Sequence, residues 1–270
     1  MKKTLFVSDL DGTLLTQDQR LSSFTLSTIN ALVDEGMLFT YATARSLETA
    51  SAVTQGLKTS APRVLYNGAF ICDDTAAPII SHVFDDADKA IVDDILSAGL
   101  YPIVYSLIDG AEKFSFVSDK VNECGAQFLN TRKHCARYNP VSEIGDLYKG
   151  DIFYILCIDT EQKLAPLYAK YKNDCNCIFS NDIYTGNIWL EITPRTATKA
   201  NALTELKNML DCRLVVFGDG KNDIDMFAVA DECYAVENAC EALKDVATAV
   251  IGPNRSDSVA KQLKELFYRS

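Results

Sequence analysis

Val7-Ser8-Asp9-Leu10-Asp11-Gly12-Thr13-Leu14-Leu15, residues 7–15, is where the first apolar run of the chain meets two carboxylates and a glycine. Thr4–Ser8 is short and β-rich, so the pattern predicts a buried strand that ends at Asp9. Residues i and i+2 of an extended chain face one side, which lets Asp9 and Asp11 point into one pocket. Gly12 permits the backbone to swing away, and Thr13 can tie the turn. Aspartate and glycine also build ordinary turns, so this stretch alone leaves a solvated turn and a reaction centre both open.

Outward from it the chain alternates. Ser22 or Ser23 caps a predicted helix through Gly36, with Leu26, Ile29, Leu32 and Val33 on one face. Met37–Ala42 reads as a strand and Ser46–Gln55 as a second helix. Arg63–Tyr66 and Ala69–Cys72 flank Asn67-Gly68, a strong hairpin signal. This β-α-β-α-β order implies a parallel sheet with helices on both faces, an α/β, doubly wound arrangement. The stretch 83–187 differs, with a helix expected near Asp86–Ala98, strands at Tyr101–Ser106, Lys113–Val117 and Ile152–Ile158, and a helix at Glu161–Lys172. Asp109-Gly110 and Tyr184–Asn187 read as turns. Consecutive strands without helices between them imply an inserted α+β unit with an antiparallel sheet. From 188 the alternation resumes, with a strand at Trp189–Ile192, a helix at Thr198–Leu210 and a strand at Leu214–Phe217. The expected division is therefore 1–82 with 188–270 as one core, and 83–187 as an insert.

The chain has 270 residues, 48% of them hydrophobic, a net charge of −11 and a sequence pI of about 4.7. That balance argues against nucleic acid as a partner, because phosphate backbones require basic patches. The first apolar stretch is cut by Asp9, short of the roughly 7–15 residues of a secretion signal, and no run reaches the roughly 18 of a membrane span. The expectation is a cytoplasmic protein with no membrane partner; the sequence leaves oligomeric state open. Nine cysteines include no C-x-x-C, and only two histidines exist, so reduced thiols are expected in place of a zinc site.

A second acidic segment changes the weight of the first. Phe217-Gly218-Asp219-Gly220-Lys221-Asn222-Asp223 also follows a β-branched strand and also ends in carboxylates before a helix. Open α/β sheets place their sites at the carboxyl ends of strands. Four acids gathered there would repel one another, and a hard cation with oxygen ligands, Mg²⁺, removes the conflict. Thr43, in Ala42-Thr43-Ala44-Arg45-Ser46, and Lys199, in Thr198-Lys199-Ala200, are further polar groups read at strand ends. Taken alone, Thr43 reads equally as a helix cap and Lys199 as a solvated cation.

The set Asp9-Leu10-Asp11-Gly12-Thr13, Thr43, Lys199 and Gly218-Asp219-x-x-Asn222-Asp223 resembles the haloacid dehalogenase-like phosphatases, and the large insert resembles their Cof-type branch. One departure is Ala44, where Cof-type sequences usually carry glycine. The resemblance implies a Rossmann-like core with an inserted cap that closes over the site, and a Mg²⁺-dependent phosphatase of small phosphorylated metabolites, sugar phosphates first. It implies Asp9 as nucleophile and Asp11 as general acid and base. It further implies Mg²⁺ held by the Asp9 carboxylate, the Asp11 carbonyl, Asp219 and Asp223. Thr43, Ala44, Lys199 and Asn222 would meet the phosphate or substrate, and Arg45 would orient substrate or pair with an acid. A phosphomutase and a non-catalytic phospho-accepting sensor remain alternatives.

Overall fold

The computed structural model describes residues 2–181 and 187–269, which fall into two compact units. Met1–Ser81 and Ala197–Ser270 form the first, and His82–Thr196 the second.

In the first unit, five parallel strands run in the order Ala249–Ile251, Glu232–Val236, Arg213–Gly218, Thr4–Ser8, Leu38–Tyr41. Leu5, Val7, Phe39, Leu214 and Val216 are completely buried, which is what near-continuous apolar strands covered on both faces require. Chain order reverses between Thr4–Ser8 and Arg213–Gly218. The chain leaves the first strand toward Leu38–Tyr41 on one side, and leaves the second toward Glu232–Val236 on the other. The crevice at such a switch point, beyond the carboxyl ends of the strands, is where open sheets bind ligands. Both acidic segments of the sequence emerge there.

Local signals set the flanking helices. Ser22 accepts a hydrogen bond from the Thr25 amide at 2.9 Å and starts Ser23–Asp34, while Ser46 starts Leu47–Val53 through the Thr49 amide at 3.2 Å. Thr198 accepts from the Asn201 amide at 3.1 Å and starts Lys199–Leu210. The helix Ser23–Asp34 packs against Ser258–Phe267, and Asp257 joins them by accepting from the Thr25 hydroxyl at 2.9 Å and the Ser22 hydroxyl at 2.5 Å. The Asn67-Gly68 hairpin forms, with Arg63–Leu65 antiparallel to Phe70–Cys72, but these strands and Pro78–Ser81 make a separate three-stranded sheet, so the expected third parallel strand meets the main sheet only through an Ala42–Val64 bridge. Tyr66, Asn67 and Gly68 take φ of 49°, 53° and 104°. A Cβ on Gly68 would stand 2.2 Å from the Thr198 carbonyl oxygen, so only glycine lets the hairpin meet the start of that helix.

The second unit is a six-stranded sheet ordered Asn176–Asn181, Ile188–Thr193, Asp151–Asp159, Ile103–Ile108, Ala111–Val117, Tyr138–Val141. All neighbours are antiparallel except the last pair. Val92 and Ile95 from Ala90–Ser97 and Leu164 and Leu167 from Glu161–Tyr171 pack with Val104, Ile155 and Leu190 of the sheet to make its core.

The strand at Trp189–Ile192 requires a correction. It forms, as Ile188–Thr193, but pairs with Asp151–Asp159 and Asn176–Asn181 in the second sheet, so it does not return the chain to the first. The cause is visible in its two faces. Leu190 and Ile192 enter the second unit's core, Trp189 meets Phe128 edge-on, and Glu191 accepts from the Tyr154 hydroxyl at 2.7 Å. Return to the first unit comes at Ala197, and Lys199 therefore reaches the site on a helix start instead of a strand end. The helix Glu123–Asn130 and the strands Tyr138–Val141 and Asn176–Asn181 had no reading in the sequence. Of the expected Tyr184–Asn187 turn, all but Asn187 lies outside the described residues.

Candidate active site

Asp9 ends the first strand. Its amide donates to the Phe217 carbonyl at 2.9 Å, and its backbone remains extended at φ −63°, ψ 160°. The chain then makes a wide turn, closed by the Leu14 amide on the Asp9 carbonyl at 3.3 Å and the Leu15 amide on the Leu10 carbonyl at 2.8 Å. Gly12 turns at φ +78°, and a Cβ there would lie 2.2 Å from an Asp219 carboxylate oxygen. Glycine is thus required both by the turn and by the close approach of the second acidic segment. Thr13, read only as a tie for the turn, donates its hydroxyl to Asp219 Oδ1 at 2.9 Å and joins the two segments directly.

Lys199 is 1% exposed and lies between two carboxylates, donating to Asp9 Oδ1 at 2.5 Å and Asp223 Oδ1 at 2.8 Å. The other oxygen of Asp223 accepts the Asp219 and Gly220 amides, each at 2.9 Å, which fixes the Gly218–Asp223 turn. Asp9, Asp219 and Asp223 each offer an oxygen such that all three atoms lie within 4.8 Å of one another. Three acids face one lysine. Burial pushes the Asp9 carboxyl up to about 7, with Lys199 opposing the shift and Asp223 and Asp219 adding to it. Asp219 is pushed up to about 6 by burial, against the Thr13 hydrogen bond and with the neighbouring Asp223 charge. For Lys199, burial favours the neutral amine, but Asp223 and Asp9 outweigh it and hold the cation above its ordinary range. The donor set is all carboxylate oxygen and short of positive charge, so its chemistry fits a hard divalent ion such as Mg²⁺. Asp9, Asp219 and Asp223 would hold it.

Asp11 stands apart from that cluster. Its carboxylate accepts two bonds from Arg45, Nε at 2.7 Å and Nη2 at 2.6 Å, and half of its side chain remains exposed. Of the two roles open to Arg45 in the sequence, the structure displays the ion pair. Arg45 is also tied to the Gln19 side-chain oxygen at 3.0 Å. Thr43 is buried, and its hydroxyl accepts from the Arg45 amide at 3.1 Å, while the helix itself is capped by Ser46. Ala44 between them is exposed, and Asn222 donates to the Asn67 side-chain oxygen at 3.3 Å.

Two supporting residues had no signal in the sequence. Asn238 donates to the Gly12 carbonyl at 2.8 Å and accepts from the Asn254 amide at 3.0 Å. Asn254 in turn donates to the Leu15 carbonyl at 2.8 Å. Together they pin the turn after Asp9 through its backbone carbonyls, contacts that no spacing rule encodes.

Comparison with known proteins points to one family. The description haloacid dehalogenase-like hydrolase fits the chain over residues 6–263. The chain is 28% identical over 276 residues to the 5-amino-6-(5-phospho-D-ribitylamino)uracil phosphatase YitU of Bacillus subtilis, covering 98% of each chain. It is 29% identical to YwtE of the same organism, a phosphatase named for the same substrate, covering 96% of each. Among solved structures, a Thermotoga maritima protein superposes with a TM-score of 0.79 at 25% identity, covering 98% of this chain and 97% of that one. A haloacid dehalogenase-like hydrolase of Bacteroides thetaiotaomicron matches with a TM-score of 0.77 at 20% identity, covering 98% and 100%, which speaks for the fold.

Proposed function

The chain belongs to the haloacid dehalogenase-like hydrolase family, and on that premise we propose that it is a Mg²⁺-dependent phosphatase of small phosphorylated metabolites. Phosphoric monoester hydrolysis accords with the phosphatases it resembles. The observation that carries the finer reading is the buried cluster at the switch point, where Asp9 contacts Lys199 at 2.5 Å with Asp219 and Asp223 beside it.

Asp9 is the nucleophile. Its carboxylate oxygen bonds to phosphorus while the ester P–O bond breaks, giving an aspartyl-phosphate and an alkoxide leaving group. Asp11, released from Arg45 and carrying a proton taken up from solvent, gives that proton to the alkoxide. Water then attacks phosphorus, Asp11 takes the water's proton, and phosphate leaves with Asp9 regenerated. A bound Mg²⁺ supplies positive charge that favours ionised Asp9 and offsets the phosphoryl charge. Lys199 adds a second fixed cation, and its contacts with Asp9 and Asp223 orient both carboxylates. Thr43 and Asn222 are the proposed hydrogen-bond partners of the phosphoryl oxygens and the substrate edge, with the main chain at Ala44 alongside. Phosphorylated sugars and polyols are the first substrates to try, and the phosphoribitylamino substrate for which the two Bacillus relatives are named carries a phosphorylated polyol.

A panel of phosphate esters incubated with Mg²⁺ or with EDTA tests this. Phosphate release that needs the metal and disappears in Asp9→Asn is expected; a panel without metal-dependent release overturns the proposal.

A further inference from the structure

We propose that the second unit carries an oxyanion-binding site centred on the Nε–Nη2 edge of Arg132, suited to a carboxylate or phosphate group. Arg132 follows the helix Glu123–Asn130, and its guanidinium carbon lies 3.7 Å from the centroid of the Phe128 ring. Phe128 is itself held edge-on by Trp189 at 5.2 Å between ring centres. Nη1 donates to the Phe128 carbonyl at 2.9 Å and to the Thr131 hydroxyl at 2.8 Å. One face and one nitrogen of the guanidinium are therefore fixed. The other edge, Nε and Nη2, makes no hydrogen bond or ion pair among the described residues.

The molecule displays what that edge can hold. In Arg45 the same pair of nitrogens grips the Asp11 carboxylate, at 2.7 and 2.6 Å. This planar two-donor fork matches carboxylate and phosphate oxygens and no single-point acceptor. Arg132 has no such carboxylate. It is half-buried, burial pulls its pKa down, and the Arg137 charge nearby adds to that while Tyr105 opposes it. Arg137 is already committed to Glu112 at 2.7 Å. Lys133 and His134 are exposed beside it, so a chain of net charge −11 concentrates cations over 132–137. An anion arriving there meets a fork already oriented, which lowers the ordering cost of binding. The site rests on the second unit alone. Its ligand is a small carboxylate or phosphate anion.

The test titrates succinate and, separately, sulfate into the full-length protein in EDTA at constant ionic strength, following the fluorescence of Trp189, the one tryptophan of the chain. A saturable change is expected. Loss of a charge-assisted two-point contact should weaken binding by roughly tenfold or more in Arg132→Gln. Arg132→Lys, which keeps charge and loses the fork, should be weakened to a lesser degree, and Asp9→Asn should bind as wild type does. No saturable change in wild type, or equal affinity in an Arg132→Gln protein with wild-type circular dichroism and melting, overturns the proposal. The titration needs no turnover, so its outcome is independent of the phosphatase reading.

Discussion

Replacing Lys199 by methionine is the sharpest perturbation of the buried cluster, because it keeps length and removes charge. Lys199 is 1% exposed, and the side chains of Asp9 and Asp223 are 8% and 1% exposed, so neither carboxylate can turn to water for compensation. Removing one partner of a buried ion pair typically costs about 3–5 kcal/mol, since a desolvated charge is left behind. With roughly 2–4 °C of Tm per kcal/mol for a chain near this size, the metal-free variant should melt about 6–20 °C below wild type. The pH dependence has a definite sign. Asp9 already has a folded-state pKa raised to about 7, and losing Lys199, which opposes that shift, raises it further. A raised carboxylate pKa means that the folded state binds the extra proton, so the stability it confers is complete in acid and is lost as pH rises through the folded value. The deficit of Lys199→Met should therefore be small near pH 5 and large at pH 8. Adding Asp9→Asn to the same protein should recover part of it. Denaturation in EDTA, followed by far-UV circular dichroism at both pH values, measures this. A variant as stable as wild type at pH 8 would refute the claim that Lys199 neutralises buried acids.

Other substitutions probe other parts. Asp9→Asn should abolish turnover while leaving the circular dichroism spectrum and the fold intact, checked by phosphate release at saturating Mg²⁺. Gly12→Ala puts a methyl group 2.2 Å from an Asp219 oxygen at a backbone φ of +78°, so Mg²⁺ affinity measured by calorimetry should fall at least about tenfold. Ser22→Ala removes a helix cap and a bond to Asp257, and should lower stability by about 1–2 kcal/mol with kcat unchanged, measured by urea denaturation and initial rates.

The acidic strand ends were legible because carboxylates closing an apolar strand break the local pattern. Asp9, Asp219 and Asp223 could be picked from 200 residues apart, and the parallel sheet that joins them followed from alternation. The failure at Ile188–Thr193 has an equally physical origin. A short, mostly apolar strand reads alike in either sheet, and its pairing with Asp151–Asp159 is a non-local fact. Asp11 was read as facing the same pocket as Asp9, from strand periodicity. In the structure Arg45 holds the Asp11 carboxylate, whose charge still bears on Asp219. Asn238 and Asn254 act through backbone carbonyls of the turn, and asparagine in a loop carries no mark of which carbonyl it serves.

A crystal grown with Mg²⁺ and beryllium trifluoride, a mimic of a transferred phosphoryl group, tests the central claim most directly. We predict the fluoroberyllate bonded to an Asp9 carboxylate oxygen, with the metal ion held by Asp9 and Asp219. An ion bound elsewhere, or a fluoroberyllate on any residue other than Asp9, would contradict the account.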